Sequence, residues 1–503
     1  MPRPDPRALV LAVDIGTSSV RSALFDAAGR RLPGTTGQTE CRLLRDVDGK
    51  AEMDAVALAS VQLHGCLAQT LRRYRRDQTL RGRPIVAAGT SCFWHSLVGI
   101  GPSGDALTTV YTWADSRGAA DAARLRAPAG VEARAHRRTG AMLRASFWAP
   151  KLRWLRRTQP RLFKNVETWI SPAELAARYL TDSDQVSVSM ASGTGLMNYR
   201  TCRWDTEALK LAGIGRGQLP AIGDEPGRCK LSGNFNAPEL SDTLWFPAIG
   251  DGAASNLGSG AVRPGLAAIN VGTSAAVRVV VDTRQHPRQS APLGLFAYRV
   301  DERRGLLGGA VSNAGNLRAW CLRELNLPDD EAAIERALAG RDHPRHGLTV
   351  LPFWVSERAP TWNEDLRGAV LGLSGATTSL DLLQAITEAS YLRLAAIARQ
   401  LETAQRRPLR FLVSGGIQQS PSSLQRLADV LNAPVEASAE PEASLRGAAI
   451  FALEKIGGKA QPLAKGTVYR PRKKAAAAYA AARKQQEKLE RMMAGAGRAA
   501  GLA

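Results

Sequence analysis

The chain is predicted to be an α/β protein built from two like domains around a shared cleft. Three observations lead there. At 503 residues with 44% hydrophobic content, it is too long for one ordinary core and suits two. Strand-like apolar runs alternate with helical patterns, the mark of α/β architecture. Finally, "AAINVGTSAAVRVVVDTR" at 267–284 echoes "LAVDIGTSSVRSALFDAAGR" near the start. Setting Asp14 against Asn270 pairs Ile15 with Val271 and superposes Gly-Thr-Ser 16–18 on 272–274, an offset of 256 residues. A repeated strand, bend and strand predicts a duplicated fold, each copy presenting one hairpin to the cleft.

Residues 8–14 read as a buried strand, and "VRSALFDAAGRR" as its partner across the "GTSS" bend. A helical stretch near 54–76 precedes "PIVAAGTS" (84–91), a buried strand ending in small residues. Further helices are expected at 118–126, 150–158 and 171–180. In "RFLVSGGIQQSPSSLQRLADVL" (410–431), Phe411 to Val413 is strand-like and Gly415-Gly416 permits close approach of a backbone. Ser420-Pro421 there reads as a helix N-cap followed by proline at the first helical position, with Leu424, Leu427 and Leu431 at helical spacing. The Ala/Lys/Gln/Glu content of 463–493 favours a helix as well.

The net charge of +21 is locally concentrated: from Pro462 onward ten basic side chains face only Glu487 and Glu490. Nucleic-acid binding would call for interleaved aromatics, and this tail has only Tyr469 and Tyr479, so a solvated face is the expectation. The six cysteines are scattered without a CxxC pair, which indicates neither a zinc site nor a disulfide framework and fits a reducing cytoplasm. The apolar stretch "ALVLAV" is six residues long, too short for a signal-peptide core or a membrane span. The expected partners are small molecules, with no membrane and no nucleic acid; a homodimer is left open.

Two Gly-Thr-Ser bends facing each other would offer backbone N–H groups and hydroxyls to a polyphosphate, with Arg21 adding a guanidinium. Asp14 would meet phosphate through Mg²⁺ and its water shell, because direct contact is repulsive. Asn270, its uncharged echo, would hydrogen-bond only. Asp251, in "PAIGDGAASNLGSGAV" (247–262), follows an apolar strand and sits between glycines, where a carboxylate could take the proton of an attacking hydroxyl. Its alternative is a plain Asp-Gly turn. In "SCFWHSL" (91–97) and "YTWADSR" (111–117), Trp94 and Trp113 could stack on a sugar, while His95, Asp115 and Arg117 could bind hydroxyls or a carboxylate.

Together these stretches resemble the FGGY carbohydrate kinase family, over about residues 8–455. "APKLRWLRR" (149–157) resembles its N-terminal signature and "GAVLGLSGATTSLDLLQAITEAS" (368–390) its C-terminal one. The resemblance implies two duplicated ribonuclease-H-like domains of the actin-like ATPase kind, at 1–258 (sugar and phosphate) and 259–458 (nucleotide), followed by a basic helical extension at 459–503. It implies Asp251 as catalytic base, and Asp14 with Asp251 as holders of Mg²⁺ through water. Gly16, Thr17, Ser18, Ser19, Arg21, Gly272, Thr273 and Ser274 would hold the phosphates of ATP. Gly315, Gly415, Gly416 and Ser420 would border its adenosine. Trp94, His95 and Trp113 fall where the family contacts its sugar. "FWHSL", "YTWADSR", "MASGTGL" (190–196), "NVGTSAAVR" and "SERAPTW" (356–362) are most similar to the gluconokinase group. Arg144, where many relatives carry histidine, would then serve a sugar acid's carboxylate. The implied activity is ATP-dependent phosphorylation of D-gluconate. A ketopentose or polyol kinase and a non-catalytic sugar or nucleotide sensor are the alternatives.

Overall fold

A computed structural model describes residues 5–230, 237–287, 289–341 and 344–499. In the first sheet, strand Leu9–Ile15 runs antiparallel to Ser19–Asp26, which in turn pairs antiparallel with Gly37–Glu40. On its other side Leu9–Ile15 is parallel to Ile85–Cys92, and that strand is parallel to Ile249–Gly250. The second sheet repeats the scheme. Strand Leu266–Val271 pairs antiparallel with Ala275–Asp282, and that with Arg304–Val311; its parallel neighbour is Arg410–Ser414, followed by Val435–Ala437. The central strand of each sheet is fully apolar up to its last residues, as burial on both faces requires.

The two hairpins differ by one residue in register. In the first, Ile15 lies opposite Val20 and Asp14 opposite Arg21. In the second, Val271 lies opposite Ala275, Asn270 opposite Ala276 and Ala268 opposite Arg278. The second bend is one residue tighter and its Val-Arg pair comes one residue later in the sequence, so the two pairs do not superpose. An alanine faces Asn270, and Arg278 stands one same-face position deeper along the strand.

Two helices join the halves. Asp251–Ser259 lies between the sheets: it touches Ile85–Cys92 and Ile249–Gly250 of the first and Leu266–Val271 and Ala275–Asp282 of the second, with Ala253, Ala254 and Leu257 in the first core. Ala443–Lys455, near the end of the second domain, returns to pack on strands Leu9–Ile15 and Ile85–Cys92 of the first. Leu445, Ala448, Ala449 and Phe451 belong to the first core. The two helices cross at backbone distance: a Cβ on Gly258 would lie 1.8 Å from the Ala443 carbonyl oxygen, and one on Gly447 1.8 Å from that of Ala254. The expected boundary at 258/259 therefore falls in the last turn of a helix common to both halves.

The C-terminal segment is helical over Lys473–Ala499, but it is part of the second domain rather than an appendage. Val468–Tyr469 adds a strand to the second sheet beside Val435–Ala437. Ala475 and Tyr479 sit in the second core, and the Tyr479 hydroxyl donates to Glu388 Oε1 at 2.7 Å. Glu490 is clasped by Arg393 at 2.6 Å and accepts from Thr361 and Asn363. Lys473, Lys474, Lys484 and Lys488 point outward, so the basic charge is the solvated side of an amphipathic helix. All six cysteines are free thiols, and among the described residues no helix is long and apolar enough to cross a membrane.

Candidate active site

A cavity of about 310 Å³ opens between the domains where the two hairpins converge. Gly16, Thr17 and Ser18 line it from the first bend, and Asn270 with Ser274 line it from the second. Asp14 enters at the end of its strand, almost fully buried, and its Oδ2 accepts from Arg21 Nη2 at 2.6 Å. Arg21 reaches across the domains as well, donating from Nη1 to Glu442 at 2.5 Å. The cross-strand register makes the first contact possible, because Asp14 and Arg21 are direct partners.

Asp251 is the first residue of the helix Asp251–Ser259, not the centre of a turn. Its Oδ1 accepts the Gly252 N–H at 2.7 Å, and the helix N-terminus favours its negative charge. It lines the same cavity as Asp14. Burial raises the Asp251 carboxyl above the ordinary aspartate range, and the Arg278 guanidinium opposes that rise. A buried carboxylate whose affinity for protons is raised at the floor of a cleft is suited to general-base work.

Trp94, Trp113 and His95 line the same cavity, with Trp94 against the helix start at Gly250 and Gly252. Trp94 lies in a slot without side chains: a Cβ on Gly250 would stand 1.8 Å from the ring, and one on Gly193 2.1 Å. Its indole N–H donates to the Ser189 carbonyl at 3.1 Å, and Tyr298 packs on it with ring centroids 5.0 Å apart. His95 takes a left-handed backbone (φ 66°), and its Nδ1 is 2.5 Å from the Gly193 carbonyl oxygen, which assigns the proton to Nδ1. Burial pushes its pKa down to about 3, so it is neutral and acts only through hydrogen bonds. Lys151, from the first signature stretch, is buried beneath it and donates to the carbonyls of Ser146 (2.5 Å) and His95 (3.4 Å).

Three other expected acceptor residues lie elsewhere. Asp115 is buried against the Ala51 N–H (3.1 Å) and pairs with Arg117 at 2.5 Å; Arg117 also bonds Glu52 and stacks on Trp154. These charges neutralise each other locally and do not line the cavity. Arg144 bridges Glu132 (3.2 Å) and Glu364 (3.0 Å) over the Trp362 ring, again outside the lining.

In their stead the cavity holds residues that sequence reading did not single out: Arg278, Tyr298, Phe296, Arg358 and Ser444. Phe296 and Tyr298 are stacked at 4.4 Å. Arg278 and Arg358 each lie inside a quoted motif, "NVGTSAAVR" and "SERAPTW". The repeat of Val-Arg after each bend was the available signal for Arg278, although the register shift sends it to another place. For Arg358, nothing local in the sequence signals a cavity position.

On the second-domain side the three Gly-rich segments meet. The Gly315 N–H donates to the Gly272 carbonyl at 2.9 Å, and the Asn316 N–H to that of Thr273 at 3.1 Å. A Cβ on Gly415, itself left-handed (φ +92°), would stand 2.4 Å from the Val271 carbonyl oxygen. Gly416 follows in the same turn. Ser420 caps the helix Pro421–Leu431 through the Ser423 N–H (3.2 Å), and its hydroxyl donates to Glu335 at 2.6 Å. Thus Gly272, Gly315 and Gly415 adjoin, while Ser420 is occupied by its own cap and by Glu335.

Known proteins with this arrangement are sugar kinases. Residues 9–229 match the N-terminal domain of the FGGY family of carbohydrate kinases and residues 267–454 the C-terminal domain. A gluconokinase of Bacillus licheniformis is 26% identical over 472 residues, covering 89% of this chain and 88% of that protein. A glycerol kinase of Rhizorhabdus wittichii is 30% identical over 473 residues, with coverage of 89% and 88%. The crystal structure of a gluconate kinase from Lactobacillus acidophilus superposes with a TM-score of 0.85 at 26% identity, covering 97% of this chain and 98% of that one. The paired hairpins, the crossing helices and the interdomain cavity are thus those of a chain that belongs to the FGGY family of ATP-dependent carbohydrate kinases, phosphotransferases with an alcohol group as acceptor.

Proposed function

We propose that the chain transfers the γ-phosphoryl group of ATP to the terminal hydroxyl of a sugar acid, D-gluconate, giving 6-phosphogluconate. The observation that carries the reading is the placement of Asp251 at a helix start in a cavity walled by both Gly-Thr-Ser bends. In this scheme the acceptor lies along Trp94 and Trp113, with His95 as a neutral hydrogen-bonding neighbour. Its hydroxyl gives its proton to the Asp251 carboxylate as the oxygen attacks the γ-phosphorus, and ADP departs as the P–O bond to it breaks. Backbone N–H groups and hydroxyls of the two bends hold the phosphates.

Asp14 and Asp251 are two carboxylates facing one cavity, and among the described residues no cluster of three metal-ligating side chains exists. That donor set fits Mg²⁺, which keeps much of its water, and does not suit a metal needing an all-protein cage. When bound to these two carboxylates through water, Mg²⁺ would offset the charge of the phosphate oxygens.

The test is ADP release over a panel of D-gluconate, D-xylulose, glycerol and D-glucose. Gluconate is expected to give the highest kcat/KM. Strong stimulation by xylulose or glycerol with none by gluconate would refute the choice of acceptor. ATP turnover insensitive to every sugar would refute catalysis in favour of a sensor.

A further inference from the structure

Three guanidiniums line the cavity, and they differ in their partners. Arg21 is ion-paired with Asp14. Arg278 adjoins the helix start, where a Cβ on Gly252 would meet its Nε at 2.7 Å, and its charge acts on Asp251 without a hydrogen bond between them. Arg358 is the third. Its Nε donates to the Ser312 hydroxyl at 3.0 Å and its Nη2 to the Val311 carbonyl at 3.1 Å, both neutral acceptors. The carboxylate next to it in sequence, Glu357, is hydrogen-bonded to Arg393 at 3.1 Å instead. Glu357 offsets the charge of Arg358 from a distance, but no carboxylate takes its hydrogen bonds, so the guanidinium keeps donors free to offer an anion in the cavity.

We propose that Arg358 is the specificity-determining residue of the acceptor site, holding the carboxylate of an aldonate whose far hydroxyl reaches Asp251. This rests on the sugar-acid reading above and gives it a physical cause. Arg358 stands over the Trp113 ring, 5.5 Å from its centroid, on the acceptor wall. Gly315 and Gly415, on the nucleotide side, do not line this cavity. Tyr298 lines the cavity and packs on Trp94 and His95; burial drives its phenol well above the ordinary range, so it keeps a hydroxyl proton to donate to the same carboxylate. The other anion that could meet Arg358 is the γ-phosphate of ATP, and the experiment separates the two.

The decisive measurement is kcat/KM for D-gluconate and for D-glucitol, its counterpart with a hydroxymethyl group in place of the carboxylate, together with KM for ATP. Wild type, Arg358→Gln and Arg358→Lys are compared. The wild-type ratio is expected to favour gluconate, and Arg358→Gln to reduce that ratio by about 10- to 100-fold, as for lost charge-assisted hydrogen bonds. Arg358→Lys, which keeps the charge without the planar fork, should fall between. KM for ATP should change far less than KM for gluconate.

Equal losses for gluconate and glucitol, or a loss carried by KM for ATP, would overturn the assignment while leaving gluconate phosphorylation intact. A wild-type enzyme that ignores gluconate but uses another aldonate over its alditol, with that preference lost in Arg358→Gln, would overturn gluconate and retain Arg358. Wild-type preference for neutral sugars overturns both.

Discussion

Replacing Asp251 by asparagine isolates the proton-accepting role from everything else the residue does. The amide oxygen of asparagine can still accept the Gly252 N–H that Asp251 accepts at 2.7 Å, so the helix start survives. What is lost is the basic oxygen, and a positioned general base contributes about 10² to 10⁴ in rate, or about 3–5 kcal/mol of barrier. A coupled assay of ADP release should therefore show kcat lower by that factor with KM for ATP changed less than threefold. The pH profile carries the same logic. Because burial raises the Asp251 carboxyl, wild-type kcat/KM should fall on acidification at a higher pH than for an exposed aspartate. Arg278 works against that rise, so Arg278→Gln should move the acid limb to still higher pH. A kcat for Asp251→Asn within tenfold of wild type, or an acid limb unmoved by Arg278→Gln, would refute this account of the base.

Two further perturbations probe the supports of the site. Gly250→Ala would place a methyl 1.8 Å from the Trp94 ring; the ring must leave its slot, with a stability loss of about 1–3 kcal/mol in urea unfolding and a raised KM for the acceptor, and a wild-type KM would contradict Trp94 as an acceptor wall. Arg393→Met strips the cation from the buried carboxylates Glu357 and Glu490 and should cost about 3–5 kcal/mol by the same measurement. Burial already raises Glu357 to about 7 despite Arg393, so its contribution to stability is present at acid pH and lost as pH rises through that value. A variant within 1 kcal/mol of wild type would show that the tail helix is not held by this clasp.

Much of this architecture could be read locally. Each hairpin announces itself by an apolar strand, a Gly-Thr-Ser bend and a second strand, and both bends line one cavity. The Ser420-Pro421 helix start follows from cap chemistry at the positions where it occurs. What eluded sequence reading depends on register and partner choice. Arg278 lies two strand positions from that of Arg21: one because Val-Arg follows the second Gly-Thr-Ser a residue later, which the sequence shows, and one because the bend is a residue tighter, which no propensity reports. Asp115 and Arg117 carry suitable chemistry for a sugar but sit two residues apart, close enough to satisfy each other with Glu52. Arg358 reaches the cavity through a loop after more than three hundred intervening residues. The tail looked like a charged extension because its lysines and arginines far outnumber its acids; its alanines, Tyr479 and Glu490 form the inner face.

The near contact of the helices Asp251–Ser259 and Ala443–Lys455 has a mechanical consequence. Where the backbones touch through Gly258 and Gly447 no side chain separates them, so any larger residue at either position must push the two helices apart. Asp251 opens one of these helices, and Ser444, in the first turn of the other, donates to its carbonyl at 3.4 Å; both line the cavity. Strain introduced at the crossing is therefore passed along two short helices to the floor of the site.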